Sequence, residues 1–395
     1  MSVTRHYVLA AGGTGGHLIP AYALGAELTA RGHRVALITD ERGARIPGQF
    51  DDAQVHILPA GRIAGGPIGW ARAGRAIWRG RNMALELFNT FDPSAVIGFG
   101  GYPALPALLA AKSAGLPTLV HEQNAVLGRV NRLLARRVDA IATAYADVSR
   151  IPAGARDKVH LVGNPVREAV LGLRRLGFPP LDGDGVFRLL VTGGSQGATI
   201  LGAVVPDALA LLPLNFRQRL QVTQQCRAED IDTVRATYAA HGIPADLSTY
   251  IDDMPGKLSW AHLVIARAGA STIAELTAAG RPAILVPLPS ATDDHQTQNV
   301  REMVAIGGAR AIAQDKFTAV ELAKQMQKLA LEPGALENAA GRALSIGRPN
   351  ATRDLADLVE SVGGNPTMQV IHVGGGTART GARGLATARA AADVL

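Results

Sequence analysis

The sequence predicts an α/β protein made of two doubly wound parallel-sheet domains that face a central cleft. Three observations carry this. Short apolar runs alternate with helical stretches along most of the chain; the alternation falls into two successive series; and each series opens with a glycine-rich turn between a strand and a helix. At 395 residues the chain is also too long for one ordinary core.

In the first series, residues 7–11, 35–39, 95–98, 118–122, 140–144 and 160–162 read as short buried strands, with helices beginning near Pro20, Trp70, Pro103 and Arg129. The second series contributes strands at 187–192, 220–223, 263–266 and 283–286. The passage between them lies near Gly163-Asn164-Pro165, because the residue before a proline is pushed out of helical conformation. The expected organisation is residues 1–165 as one Rossmann-like domain, 166–349 as a second, 350–362 as a closing helix, and 363–395 as a flexible Gly-, Ala- and Arg-rich tail. Within that tail, residues 370–373 have the composition of a short local strand.

Composition narrows the function classes. A hydrophobic content of 47% fits a globular protein, and the absence of long uninterrupted apolar runs argues against a membrane span. The N-terminal run 8–11 passes straight into glycines, as a first strand does and a signal peptide does not. Cys226 is the only cysteine, which excludes an intrachain disulfide and a multi-cysteine metal cluster and makes a cytoplasmic location the default. The net charge of +7 sits in the first half: residues 1–165 hold 18 Lys+Arg against 11 Asp+Glu, and the remainder holds 22 of each. Nucleic acid, an anionic membrane face, an anionic substrate or simply an Arg-rich surface can each account for that excess.

Five motifs carry chemistry. Gly12-Gly13-Thr14-Gly15-Gly16-His17 follows the first strand; glycines admit close backbone approach, and a helix N-terminus offers free N–H groups to an anion. The spacing is not the dinucleotide pattern, since counting from Gly13 the third glycine would fall at Leu18, although Asp40 at the end of the second strand leaves a ribose acceptor in place. Thr192-Gly193-Gly194-Ser195-Gln196-Gly197-Ala198 repeats the device at the head of the second series. In 267–275, a strand, a glycine turn and a Ser/Thr pair mark a helix start, with Glu275 placed to accept hydrogen bonds from a ribose diol or, alternatively, to sit exposed in the first turn. Asp293-Asp294-His295-Gln296-Thr297-Gln298-Asn299 brings amides, which both donate to and accept from sugar hydroxyls. Finally, 98–103 and His121-Glu122-Gln123-Asn124 lie at strand ends that open on the same cleft. The D-x-D strings Asp182-Gly-Asp184 and Asp230-Ile-Asp232 read as turn and polar-helix positions, so neither a metal site nor a cofactor is expected.

Taken in order, GGTGGH (12–17), GFGGYPALP (98–106), HEQNAVLGRVNRLLA (121–135), GNPVR (163–167), GGSQGA (193–198), YIDDM (250–254), RAGASTIAE (267–275) and DDHQTQN (293–299) resemble the bacterial peptidoglycan N-acetylglucosaminyltransferase family, which converts lipid I to lipid II. The resemblance extends to about residue 350 and implies a GT-B fold, with UDP-GlcNAc on the second domain and the undecaprenyl-linked acceptor on the first. It further implies that Ser195 and Gln196 meet the diphosphate, that Ile251 lies at uracil, and that Ala270, Ser271 and Thr272 present main-chain groups to the donor. Glu275 would hold the ribose and Gln296 the GlcNAc hydroxyls; Thr14, Gly15, Gly16, Asn124 and Arg167 would complete the donor side, and Tyr102 and Asn131 the acceptor side.

The implied reaction is an inverting displacement by the muramoyl 4-hydroxyl at C1 of GlcNAc, which needs one general base and an anion-stabilising site. His17 is the preferred base because its unperturbed pKa is near neutral; the alternative gives Glu122 that role and leaves His17 to orient the acceptor diphosphate. The charge excess then acquires a purpose. The stretch from Arg62 to Arg81 contains no acid, and helical pitch puts Arg72, Arg75 and Arg79 on one face with Trp70, Ile77 and Trp78 on the other, as in a helix that docks on an anionic membrane. An ordinary helix with its tryptophans in the core is the competing reading. Expected partners are the donor, the lipid-linked acceptor, the cytoplasmic face of the inner membrane and other cell-wall synthesis proteins, but not nucleic acid. Rival functions are another GT-B enzyme such as a glycolipid synthase or UDP-GlcNAc 2-epimerase, a non-catalytic membrane scaffold, and a nicotinamide dehydrogenase.

Overall fold

The structure, a computed structural model, describes residues 4–45, 54–59, 66–182, 185–194, 197–330, 332 and 334–364. Two parallel sheets organise it. The first has strand order β3-β2-β1-β4-β5-β6-β7 and the second β10-β9-β8-β11-β12-β13. Here β1 is His6–Ala10, β2 Arg34–Thr39, β3 Gln54–Ile57, β4 Ala95–Gly98, β5 Thr118–Glu122, β6 Ala140–Thr143 and β7 Val159–Leu161. In the second sheet β8 is Phe187–Thr192, β9 Leu220–Gln225, β10 Ala245–Ser248, β11 Leu263–Ala266, β12 Ala283–Leu285 and β13 Ala309–Ala311. The central strands are buried along nearly their whole length and mostly apolar because both faces are covered by helices, as a parallel sheet requires. β3, β10 and β13 escaped the sequence reading for one reason: all three are sheet edges, short and partly exposed, with no continuous apolar run.

Both orders reverse direction at the sheet centre, between β1 and β4 and between β8 and β11. At such a switch point the connections leave to opposite faces and open a crevice beyond the carboxyl ends of the strands. The register pairs Ala10 with Gly98 and Thr192 with Ala266, so four of the glycine-bearing loops begin at the two crevices.

The chain crosses between the sheets twice. Gly163, at φ +95°, lies on the outward crossing, and a Cβ there would fall 2.8 Å from Arg348 Cβ and 2.9 Å from Ala351 Cβ on the return. The two crossings therefore pack against each other at a position only glycine fills without strain. The returning helix Ala351–Val362 then lies on the first sheet, not the second: Leu355, Ala356, Leu358 and Val359 join the core around Tyr7, Leu9 and Leu37. Burying each Leu or Val contributes about 1.5–3 kcal/mol. Arg31, at the end of helix Gly15–Ala30, adds ion pairs to Asp357 (2.6 Å) and Glu360 (2.8 Å) on that helix.

Candidate active site

A cleft of about 2570 Å³ separates the two sheets. Pockets for a drug-sized ligand run to about 1,000 Å³; this cleft has room for two substrates at once. Thr14, Gly15, Gly16, His17 and Asn124 line it from the first sheet, and Ile251, Ala270, Ser271, Thr272, Glu275, His295 and Gln296 from the second, with Arg167 on the crossing.

On the first side, the helix after β1 begins at Gly15, with Thr14 as its N-cap, five residues ahead of the expected start at Pro20. Pro20 sits inside the helix, where its missing N–H leaves only the Gly16 carbonyl without a helical partner. The earlier start puts Gly15, Gly16 and His17 in the first turn, where all three line the cleft and His17 N–H donates to Thr14 O at 3.0 Å. Thr14 Oγ1 lies 3.0 Å from His17 Nδ1. The His17 ring packs over the loop after β4: Gly12 N–H donates to Gly100 O at 3.0 Å, and a Cβ on Gly100 (φ +89°) would stand 3.3 Å from His17 Nε2. That close approach accounts for the glycines at 100 and 101. Burial lowers the His17 pKa to about 4, helped by the facing charge of His295 and opposed by Asp40. The imidazole is thus held neutral.

Glu122 does something else. It is 2% exposed and does not line the cleft. Its Oε1 accepts from Asn124 N (3.0 Å) and Asn124 Nδ2 (3.2 Å), and its Oε2 from Gly128 N (2.8 Å) and Asn131 Nδ2 (2.9 Å). Burial raises its pKa, against those four donors. A carboxylate so occupied braces the 123–131 loop, a position that favours His17 over the alternative that gave Glu122 the role of base. Asn131, expected at the acceptor, is likewise buried beneath the site with its Nδ2 on Glu122. Tyr102 is half-buried outside the cleft lining. Asp40 is spent on its own turn, accepting from Gly43 N at 2.9 Å.

On the second side, the helix Ala270–Ala279 starts at Gly269 without a side-chain cap, so the N–H groups of Ala270, Ser271 and Thr272 are free for an anion. The Ser271 hydroxyl is buried there with no protein partner. Glu275 is buried one turn in, which removes the exposed first-turn reading, and its Oε1 accepts from Arg167 Nε (2.9 Å) and a terminal guanidinium nitrogen of Arg167 (2.6 Å). Burial raises the Glu275 pKa while Arg167 opposes the rise. Gln296 Oε1 accepts from Ala268 N (3.2 Å) and Leu288 N (2.9 Å); this fixes the amide's orientation and leaves Nε2 for a ligand in the cleft. Ile251 is 8% exposed. Gln225 Oε1 accepts from Gly193 N (3.2 Å) and so holds the glycine loop after β8, but Ser195 and Gln196 themselves lie outside the described residues. Among the described residues no three His, Cys, Asp or Glu side chains are arranged to hold a metal ion.

Sequence reasoning missed two residues here. His295 lines the cleft opposite His17, its ring fixed by Nδ1–H donating to Thr292 O at 2.8 Å. Asn299 is fully buried between the domains. Both stand in the amide-rich motif 293–299, where composition signalled a polar loop but not which side chains face across the cleft.

Away from the cleft, the helix Gly66–Phe91 exposes Trp70 (61%), Trp78 (62%) and Ile68 (71%). The core-facing reading of the tryptophans is therefore wrong, and so is the placement of Trp78 opposite the arginines: it shares a shallow groove with Gly74, Arg75 and Arg79. Ile77 is the residue that packs on the core. Arg62 and residues 365–395, with the 370–373 run, lie outside the described residues. No helix among the described residues is long and apolar enough to cross a membrane.

Comparison with known proteins agrees with this layout. Residues 7–143 match the glycosyltransferase family 28 N-terminal domain and residues 188–359 its C-terminal domain. The chain is 66% identical over 372 residues to the UDP-N-acetylglucosamine–N-acetylmuramyl-(pentapeptide) pyrophosphoryl-undecaprenol N-acetylglucosamine transferase of Novosphingobium aromaticivorans, covering 94% of this chain and 96% of that one. It is 62% identical over 388 residues to the protein of the same name from Erythrobacter litoralis, covering 98% of each. Among solved structures, MurG of Acinetobacter baumannii superposes with a TM-score of 0.72 at 30% identity, covering 90% of this chain and 99% of that one. With both halves of its cleft matched by one two-domain family and relatives of this identity along its length, the chain belongs to glycosyltransferase family 28, within its N-acetylglucosamine transferases of this type.

Proposed function

We propose that this chain moves N-acetylglucosamine from UDP-N-acetylglucosamine to the muramoyl 4-hydroxyl of the undecaprenyl-diphospho-MurNAc-pentapeptide, with inversion at C1. The observation that carries it is the facing of two unlike half-sites across one cleft: a neutral His17 on the first domain, and an uncapped helix start with Glu275 and Gln296 on the second. In this reading the uracil lies at Ile251, the ribose diol on Glu275, the diphosphate on the N–H groups of Ala270–Thr272 and the 193–198 loop, and the sugar between Gln296 and Asn124. The acceptor hydroxyl attacks C1 as His17 Nε2 takes its proton. The C1–O bond to the diphosphate breaks with its electron pair, and UDP leaves as an anion held by fixed dipoles that need no reorganisation. Thr14 keeps the imidazole turned through Nδ1.

The helix Gly66–Phe91, with Trp70, Trp78, Arg72, Arg75 and Arg79 on its surface, serves as the contact with an anionic membrane and holds the enzyme peripherally at the cytoplasmic face, where its lipid-linked acceptor is. Transfer from UDP-GlcNAc to a lipid I analogue, with the intact chain and with His17→Ala, tests the assignment: product is expected from the first and a loss of about 10²–10⁴-fold from the second. No product from the intact chain would overturn it.

A further inference from the structure

Asn299 comes from the second domain yet spends most of its side chain on the first. It is fully buried. Its Oδ1 accepts from Ala125 N at 2.8 Å, and its Nδ2 donates to Asn124 Oδ1 at 3.1 Å and to Ala268 O at 3.2 Å. Ala268 immediately precedes Gly269, the cap of the helix start assigned to the diphosphate. One amide thus ties together the loop after β5, the loop after β11 and the segment that bears Gln296.

That segment is pinned at a second point. Asp293 reaches Arg150 at 2.6 Å, with Arg132 at 3.7 Å and Arg129 at 4.0 Å, all three from the first domain. Asp293 (φ +57°) and Arg150 (φ +67°) both hold left-handed backbone conformations that cost non-glycine residues energy. Two strained residues meeting across a boundary indicate a docking that the fold maintains against local preference.

We infer that Asn299 is a positioning residue for the transfer, setting the Asn124 amide from across the domain boundary so that the sugar-facing edge of the first domain is formed only while the second domain is docked on it. Asn124 is held on one side by Glu122, which takes its N–H and its Nδ2, and on the other by Asn299, which donates to its Oδ1. With the Asn299 donor gone, the amide is anchored from its own loop alone. The inference rests on the reading that Asn124 meets the donor sugar.

The test is a double-mutant cycle of Asn124→Ala and Asn299→Ala in the full chain, with Asn299→Asp as an isosteric variant that turns an acceptor onto Asn124 Oδ1 and Ala268 O. Three quantities are read: kcat/KM for UDP-GlcNAc in transfer to a lipid I analogue, Kd for UDP, which lacks the sugar, and Tm. Each single variant is expected to lose about 10- to 100-fold in kcat/KM, as small misplacements of a substrate-positioning group do. UDP affinity should stay within about twofold, and the double variant should be no worse than the more damaged single, because the residues act through one another. Losses that multiply in the double variant would overturn the inference, as would wild-type kinetics in both Asn299 variants while Asn124→Ala is impaired. A fall in UDP affinity and Tm that matches the loss of activity in both Asn299 variants would reduce the residue to a structural brace and overturn it as well. Wild-type kinetics in Asn124→Ala would instead remove the reading of Asn124 on which the inference stands, and the inference with it.

Discussion

Arg167 places two of its N–H donors on a single oxygen of Glu275, at 2.9 and 2.6 Å, so the carboxylate is anchored through Oε1 and Oε2 is left for a ligand in the cleft that Glu275 lines. The pairing answers a chemical problem. A buried carboxyl tends to protonate, and a proton on Oε2 would turn the one oxygen left for a ribose diol from an acceptor into a donor. Arg167 opposes that tendency without covering the face a ligand needs. Glu275→Ala should weaken UDP binding about 10- to 100-fold by calorimetry, the value of hydrogen bonds to a charged group. Arg167→Ala should weaken it too, but in a pH-dependent way. Without the guanidinium the carboxyl pKa rises further, so affinity in that variant should recover as pH increases. A pH-independent loss in Arg167→Ala would show that Arg167 does not act through Glu275.

His17 has a different electrostatic setting, with burial and the facing His295 both disfavouring its cation. The free base is therefore the resident form well below neutrality. For the intact enzyme the acid limb of kcat/KM should lie near pH 4, far under the ordinary histidine value of 6.5. Replacing His295 with Gln removes one opposing charge and should move that limb upward. A limb that stays near 6.5 in both proteins would show that burial and His295 do not hold His17 neutral.

How much of this was legible beforehand differs between fold and site. The central strands announced themselves because they are buried on both faces and carry apolar runs; three of the four edge strands did not, since strands such as β10 (Ala-Asp-Leu-Ser) and β13 (Ala-Arg-Ala) bury too little to leave a pattern. The glycine loops were legible because close approach demands glycine, as at Gly12 and Gly101, where a Cβ on either would fall within 3 Å of the other's Cα. Direction was not legible. Glu122 and Glu275 are both single glutamates in polar motifs, yet one turns down onto four loop donors and the other opens on the cleft. Trp78 differs: as the i+3 neighbour of Arg75 it is placed beside the arginines by helical pitch itself, so setting it on the opposite face misread the wheel, and only its exposure needed the structure. Asn299 was illegible because its first-domain partners lie about 175 residues away in sequence.

Acid stability follows from buried histidines. His121 is fully buried, with Nε2–H donating to Gly163 O at 2.9 Å and Nδ1 accepting from Gln123 Nε2 at 3.0 Å, an arrangement that suits only the neutral ring. Burial lowers its pKa to about 4, and that of His262 to about 4 as well. The unfolded chain binds these protons near pH 6.5 and the folded chain only near 4. Their contribution is thus complete above about 6.5 and is lost as pH falls through that window, by up to roughly 3 kcal/mol for one such group. Denaturant unfolding of His121→Gln should show lower stability than the intact chain at pH 7.5 but a shallower loss between 7.5 and 5. Parallel losses in the two proteins would mean that His121 does not carry this dependence.

The helix Gly66–Phe91 offers the sharpest test of where the enzyme works. Its exposed surface combines two interfacial aromatics and an isoleucine with Arg72, Arg75 and Arg79, and no carboxylate lies between residues 62 and 81 to offset them. Tryptophan prefers the headgroup layer, and each arginine near an anionic surface contributes about 1 kcal/mol, so three together are worth about a hundredfold in partitioning. Converting Arg72, Arg75 and Arg79 to Glu should therefore lower binding to phosphatidylglycerol-containing vesicles by at least that factor, and more steeply at low salt, where screening is weakest. Trp70→Ser with Trp78→Ser should weaken binding in a salt-independent way, because it removes apolar contact and not charge. Neither set touches the cleft, so UDP affinity should be unchanged in both. Turnover of a water-soluble acceptor analogue should persist as well, while turnover of a vesicle-embedded acceptor falls with vesicle binding. Vesicle binding that survives both sets undiminished would place the membrane contact on another surface of the first domain.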